Sequence, residues 1–109
     1  MQVLIELWTP KPSWQALSTE ERQAFMAQIG GTMAQLSDIG VEVIGWGEID
    51  PTADKSIDAA FVAVWRAASE EAMVEFLRII EASGWYDYFA QTNVKSSLTD
   101  PQAIVAKHF

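Results

Sequence analysis

The sequence predicts an α+β fold of order βαββαβ, a four-stranded antiparallel sheet with two helices on one face. Three observations carry the prediction. Four short segments are rich in β-branched and aromatic residues, two segments carry apolar residues at helical spacing, and glycine or proline marks most boundaries between them. With 109 residues, half of them hydrophobic, the chain is expected to form a single domain over 1–109, a βαββαβ core over 2–97 followed by a tail over 98–109.

The elements follow in order. Residues 2–8 (Gln-Val-Leu-Ile-Glu-Leu-Trp) read as a strand stopped by Pro10 and Pro12. Ser18-Thr19-Glu20-Glu21 is a capping box, with the Ser18 hydroxyl placed to accept from a free backbone N–H and Glu21 able to reach back. Phe25, Ile29, Met33 and Leu36 then recur at helical spacing as far as Gly40, which gives a helix over about 19–38. Gly30-Gly31 in its middle costs about 1 kcal/mol per glycine relative to alanine. The pair is read as a close approach of helix to sheet or a slight kink, with a functional hinge as the alternative.

Val41–Ile49 reads as the second strand, and the acidic stretch Asp50–Asp58 as a loop that lacks the oxygen spacing of a calcium loop. Phe61–Arg66 is a near-continuous apolar run of the kind that fills a central strand. A second helix starts near Ser69, places Glu70 and Glu71 at the positive end of its dipole, and buries Met73, Phe76, Leu77 and Ile80 before Gly84. Trp85–Phe89 is an aromatic turn read as a plug at one end of the core, with a ligand gate as the alternative. If it is extended, Tyr86 and Tyr88 alternate in direction. Gln91–Ser97 is the fourth strand. Ile104, Val105 and Phe109 in the tail suffice for a docked turn of helix or a short strand.

Fifteen carboxylates against seven Lys and Arg give a net charge of −8, which repels phosphate backbones and anionic lipid, so neither nucleic acid nor membrane is an expected partner. The absence of cysteine removes thiolate chemistry and disulfides, and no cationic leader precedes the first strand; the expected location is cytoplasmic.

Two right-handed βαβ units give the ferredoxin-like arrangement, with both helices on one side of the sheet. Three of the five tryptophans, Trp8, Trp46 and Trp65, fall inside strands, and alternation groups them with Glu6, Glu48, Gln91 and Asn93 on one face. Val3, Ile5 and Leu7 are uniformly apolar and are assigned to the helix side, with Val41, Val43, Gly45, Thr92 and Val94. The tryptophan face, with Leu4, Ile44, Phe61 and Ala63, is then the open one. A patch of that size exceeds what a soluble monomer exposes, so a homodimer packed sheet to sheet around a cavity is expected.

Glu6-Leu7-Trp8, Gly45-Trp46-Gly47, Ala63-Val64-Trp65-Arg66 and Gly84-Trp85-Tyr86-Asp87-Tyr88-Phe89 resemble the dimeric α/β-barrel superfamily, and within it Trp-rich members of uncharacterised function. The superfamily includes cofactor-free monooxygenases, small-molecule isomerases and haem-degrading enzymes. The haem-degrading members use a polar residue on strand one, a tryptophan on strand three and a histidine on helix two. Trp65 matches the second and Glu6 or Trp8 stands near the first, but His108 in the tail is the only histidine, so neither haem nor another cofactor or metal is expected.

The chemical candidates are therefore Glu6 and Glu48. A carboxylate held against indole faces loses hydration, which raises its pKa toward the range of a general base. Gln91 and Asn93 are placed to hold a carbonyl or enolate, and Trp8, Trp46 and Trp65 to stack on a small aromatic or quinone-like ligand. The set suits isomerisation or cofactor-free oxygenation by a Glu base. The alternative is a structural or ligand-sensing dimer in which Glu6 pairs with Arg66 or Lys95 and the indoles only join two subunits.

Overall fold

The computed structural model describes residues 1–109. Strand β1 (Gln2–Pro10) is central, flanked by β3 (Phe61–Ala67) and β4 (Phe89–Ser97), while β2 (Val41–Glu48) completes an antiparallel sheet of order β2-β3-β1-β4. This is the ferredoxin-like topology expected. Helix α2 (Thr19–Met33) begins at the Ser18 capping box, in which the Ser18 hydroxyl accepts from the Glu21 N–H at 3.1 Å and the Glu21 carboxylate accepts from the Ser18 N–H at 3.0 Å. Helix α3 (Glu70–Ala82) begins at Ser69, whose hydroxyl accepts from the Ala72 N–H. Gly40 and Gly84 take left-handed conformations, with φ of 84° and 82°, at the ends of the two helical segments.

Three local departures from the sequence reading have physical causes. Pro12 does not only end β1; it also opens a one-turn helix, α1 (Pro12–Gln15), since proline is pre-organised for the first helical turn. The expected helix over 19–38 ends at Met33 and resumes as a 3-10 turn over Leu36–Ile39 before Gly40. Trp85–Tyr88 is a turn of helix, α4, so Tyr86 and Tyr88 do not alternate as in an extended segment. The Lys11 N–H donates to the Tyr88 carbonyl at 2.8 Å and the Lys11 ammonium to the Tyr86 carbonyl at 3.0 Å, pinning α4 to the end of β1.

The largest correction concerns the two faces of the sheet. Leu4, Glu6, Trp8, Ala63 and Trp65 lie beneath the helices, where Trp65 packs on Phe76 of α3 with ring centroids 4.7 Å apart. Val3, Ile5, Leu7, Val62, Val64, Thr92 and Val94 form the open face, opposite to the expected assignment; none of them belongs to the core cluster, though Val3 is itself buried and Ile5, Leu7, Val62 and Val64 are half-buried. In β2 the pairing slips between Val43 and Gly45, so the extra residue Ile44 reverses the alternation. As a result Val41 and Val43 share the helix side with Trp46 and Glu48, which unbroken alternation places on opposite faces.

The core is aromatic where the chain brings its indoles together. Trp8 touches Trp46, Phe61 and Trp85 at centroid distances of 5.1, 5.8 and 5.6 Å, and Trp85 stacks on Phe89 at 4.0 Å. Helix α3 buries Ala72, Met73, Phe76 and Ile80, whereas Ile29 is the one residue of α2 that is fully buried. A Cβ built at Gly30 or Gly31 meets nothing within 4 Å, so this pair marks no close approach to the sheet. Helix α2 stands off the sheet, and the space beneath it is where the candidate site lies. No helix is long and apolar enough to cross a membrane.

Candidate functional site

Glu6 is the one charged or polar residue in the buried set, with 5% of its surface exposed. Its position follows from β1 alternation, which sends it inward between Leu4 and Trp8 toward α3. Both carboxylate oxygens are engaged: Oε1 accepts from the Trp65 indole N–H, and Oε2 accepts from the Gln91 amide at 2.5 Å. Arg66 pairs with Glu42 at 2.8 Å and Lys95 with Glu70 at 3.4 Å, so neither cation neutralises Glu6. Burial pushes the Glu6 carboxyl above its ordinary value, and the bonds from Gln91 and Trp65 oppose this only in part.

Behind Glu6 runs a directed chain of hydrogen bonds. The Trp85 indole N–H can only donate, and it donates to Gln91 Oε1 at 2.7 Å. The Gln91 amide nitrogen must therefore turn toward the other side, where it donates to Glu6 and to Asn93 Oδ1, the latter at 2.7 Å. Asn93 in turn donates to the Tyr86 hydroxyl at 3.1 Å. Gln91 and Asn93 thus stand behind Glu6 as its scaffold and do not line the cavity in front of it. No buried side-chain nitrogen or oxygen lacks a partner.

That cavity has an open volume of about 50 Å³ and is walled by Glu6, Trp46 and Trp65 from the sheet, Ile29 and Met33 from α2, and Phe76 and Ile80 from α3, with Trp85 at one end. Glu6 is the only charged group on its wall. A groove of about 480 Å³ between α2 and β2 abuts it, lined by Met26, Gly30, Val43 and Gly45 together with Ile29, Met33 and Trp46, which border both spaces. Trp46 is 46% exposed and stands at this boundary.

Of the residues singled out in the sequence, the fold brings Glu6, Trp46 and Trp65 to the cavity wall. Trp8 lies behind them in the aromatic core, and Glu48 is exposed at the end of β2. Trp85, which the sequence places in a plug and not in a site, also reaches the cavity wall; its position on a turn offers no strand alternation to read. Its four-ring neighbourhood was the available signal. The α2 and α3 residues on the wall were legible only as core positions.

Solved structures similar to this chain share its fold at low identity. A mutant chlorite dismutase from Candidatus Nitrospira defluvii superposes with a TM-score of 0.73 at 14% identity over 96% of this chain and 42% of that one. At3g17210 from Arabidopsis thaliana gives a TM-score of 0.59 at 13% identity, covering 92% and 97% of the two chains, and a protein of unknown function from Rhodopseudomonas palustris gives 0.56 at 15%, covering 92% and 83%. The chain therefore spans less than half the length of the chlorite dismutase it matches. No curated protein matches it in sequence. The likeness to these structures is one of fold, a ferredoxin-like α+β sheet, and the match over residues 1–109 places the chain in a family of unknown function, DUF6616.

Proposed function

We propose that the chain binds a small planar organic molecule beneath α2, with Glu6 as the polar anchor and, where there is turnover, the base. The observation that carries this reading is a buried carboxylate, unneutralised by any cation, at the wall of an apolar cavity. With Trp65 and Gln91 donating to it, the ionised carboxylate keeps its remaining lone pairs for a donor in the cavity. Desolvation makes it a stronger base than an exposed glutamate. A proton taken from an activated carbon would pass to Glu6 and leave its electron pair on the substrate as an enolate, the first step of isomerisation or of cofactor-free oxygenation. Trp46 and Trp65 offer faces for stacking. Trp8, Gln91 and Asn93 support the site from behind, and Glu48, exposed at the end of β2, lies outside the residues that line the cavity and the groove.

The resting volume sets a condition on this reading. An apolar cavity that holds benzene has about 150 Å³, three times what is open here. A ring therefore enters only when Met33, flexible and unbranched, and the half-exposed Trp46 swing aside and join the cavity to the groove. We further propose that two copies pack through the aliphatic open face, Val3, Ile5, Leu7, Val62, Val64 and Val94, and not through the tryptophans. The rival reading, a non-catalytic dimer whose polar chain only fixes the core, draws on the small cavity and on the complete pairing of Glu6. Titrating small aromatic compounds against tryptophan fluorescence and melting temperature separates the two, because any ligand of the folded state raises stability by mass action. Gly30→Leu, which fills the groove, should abolish such binding while the protein stays folded. Binding that survives Gly30→Leu would refute the placement, and a broad library without a single ligand would favour the rival.

A further inference from the structure

Beyond Leu98, the arm that follows β4 makes no hydrogen bond to the rest of its chain. After the Leu98 N–H donates to the Met1 carbonyl at 2.8 Å, the hydrogen bonds of residues 99–109 are all local, and helix α5 (Pro101–His108) buries none of its residues. Leu98, Ile104 and Val105 are about half exposed and Phe109 is 96% exposed. The arm also stretches the molecule: the radius of gyration is 15.8 Å, against about 13 Å for a compact chain of this length.

Local sequence encodes this helix without being able to hold it. Asp100 caps it by accepting from the Gln102 N–H at 2.8 Å, Pro101 occupies the first turn, and Lys107 and His108 sit at the negative end. Yet isolated helices shorter than roughly 12–15 residues are marginal in water, and α5 has eight residues. Its order needs a surface that the same chain does not supply.

We infer that the surface is a second copy of this chain, with α5 of each protomer packed against the other beside the contact between the two sheets. The inference rests on the sheet-to-sheet dimer proposed above, and area is what favours the second copy. Strands of about eight residues at about 3.3 Å per residue, four abreast at about 4.8 Å, give a face of roughly 500 Å². A stable interface takes about 800 Å² from each partner, so the face alone falls short by roughly 300 Å². Leu98, Ile104, Val105 and Phe109 bring exposed apolar surface that can fill the difference. Phe109 alone, fully buried, brings roughly 150–250 Å². A reciprocal exchange about a twofold axis covers both unpaired surfaces and closes, leaving no free patch for further growth. An anionic lipid surface is disfavoured by the net charge of −8.

Two measurements on the full chain test this. A photo-crosslinking side chain at position 104, in a mixture of isotopically heavy and light protein, should give heavy–light links from the arm of one copy to peptides of the other. Removal of residues 98–109 should raise the dimer dissociation constant at least tenfold while the circular dichroism of the core persists. If links form only within one copy, or the shortened chain dimerises as tightly as the full one, the arm exchange is overturned and the sheet-to-sheet dimer stands. If the full chain is a monomer at micromolar concentration, both fall. Capture of a different protein by the arm, with no heavy–light links, would also overturn it.

Discussion

Glu6→Gln looks conservative, and the hydrogen-bond directions say that it is not. Trp85 holds Gln91 so that its amide nitrogen points at Glu6. A glutamine at position 6 keeps one oxygen for the Trp65 N–H but turns its own nitrogen toward that of Gln91, donor against donor. A buried donor left without an acceptor costs about 1–3 kcal/mol. Against this stands the relief of a desolvated carboxylate, worth about 1.4 kcal/mol for each unit by which burial raises its pKa. At pH 4, where the carboxyl is largely protonated folded or unfolded, the relief vanishes and the clash alone remains. Trp85→Phe removes the N–H that dictates the Gln91 orientation, while keeping a ring to stack on Phe89. Gln91 is then free to turn its oxygen toward the new glutamine. The double variant should therefore be more stable than the sum of the two single losses by about 1–2 kcal/mol, although residues 6 and 85 share no hydrogen bond. Urea unfolding followed by far-ultraviolet circular dichroism at fixed protein concentration measures all four corners of the cycle. Losses that add to within about 0.5 kcal/mol would refute the idea that Trp85 orients Gln91.

Three further outcomes are expected. Because burial raises the Glu6 pKa, the folded chain keeps its proton to higher pH than the unfolded chain does. The Glu6 contribution to stability is therefore full below the ordinary carboxylate range and is lost as pH rises through the elevated folded value. Wild-type stability minus that of Glu6→Gln should fall from pH 4 to pH 8, and a difference that rises would contradict the burial account. Gly30→Ala should raise the melting temperature by a few degrees, since a Cβ there meets nothing and alanine favours the helix by about 1 kcal/mol; a fall would show that the glycine conformation itself is needed. Ser18→Ala should cost about 1 kcal/mol in chemical unfolding through loss of the capping box, and an unchanged midpoint would mean that the α2 terminus is not coupled to global stability.

The parts of this fold that were legible in the sequence are those decided locally. Ser18 with Glu21, Ser69, Gly40 and Gly84 mark helix ends by chemistry that needs no partner from elsewhere in the chain, and they stand where the residues imply. Membership of a face was legible too, because alternation is local: Glu6, Trp8, Trp65, Gln91 and Asn93 do share one side. What alternation does not say is which side receives the helices. Polarity was a poor guide in β1, where one row is uniformly aliphatic and the other carries a carboxylate, and the rule of keeping charge out of the interior chose the wrong row. The deciding terms are non-local: Trp65 and Gln91, 59 and 85 residues away in sequence, bring the donors that make a buried Glu6 tolerable. In β2 the slip at Ile44 lies beside Gly45, and a glycine inside a strand was the available warning of a bulge. The aliphatic row had a second meaning. A uniformly apolar, slightly recessed set of Val, Ile and Leu with no hydrogen-bonding group of its own suits burial against a like surface, whereas the tryptophan row, with its N–H donors and its acid, requires partners fixed in direction. Such partners come most reliably from the same chain, which is why the directional chemistry lies inside the protomer and the non-directional surface is left on its exterior.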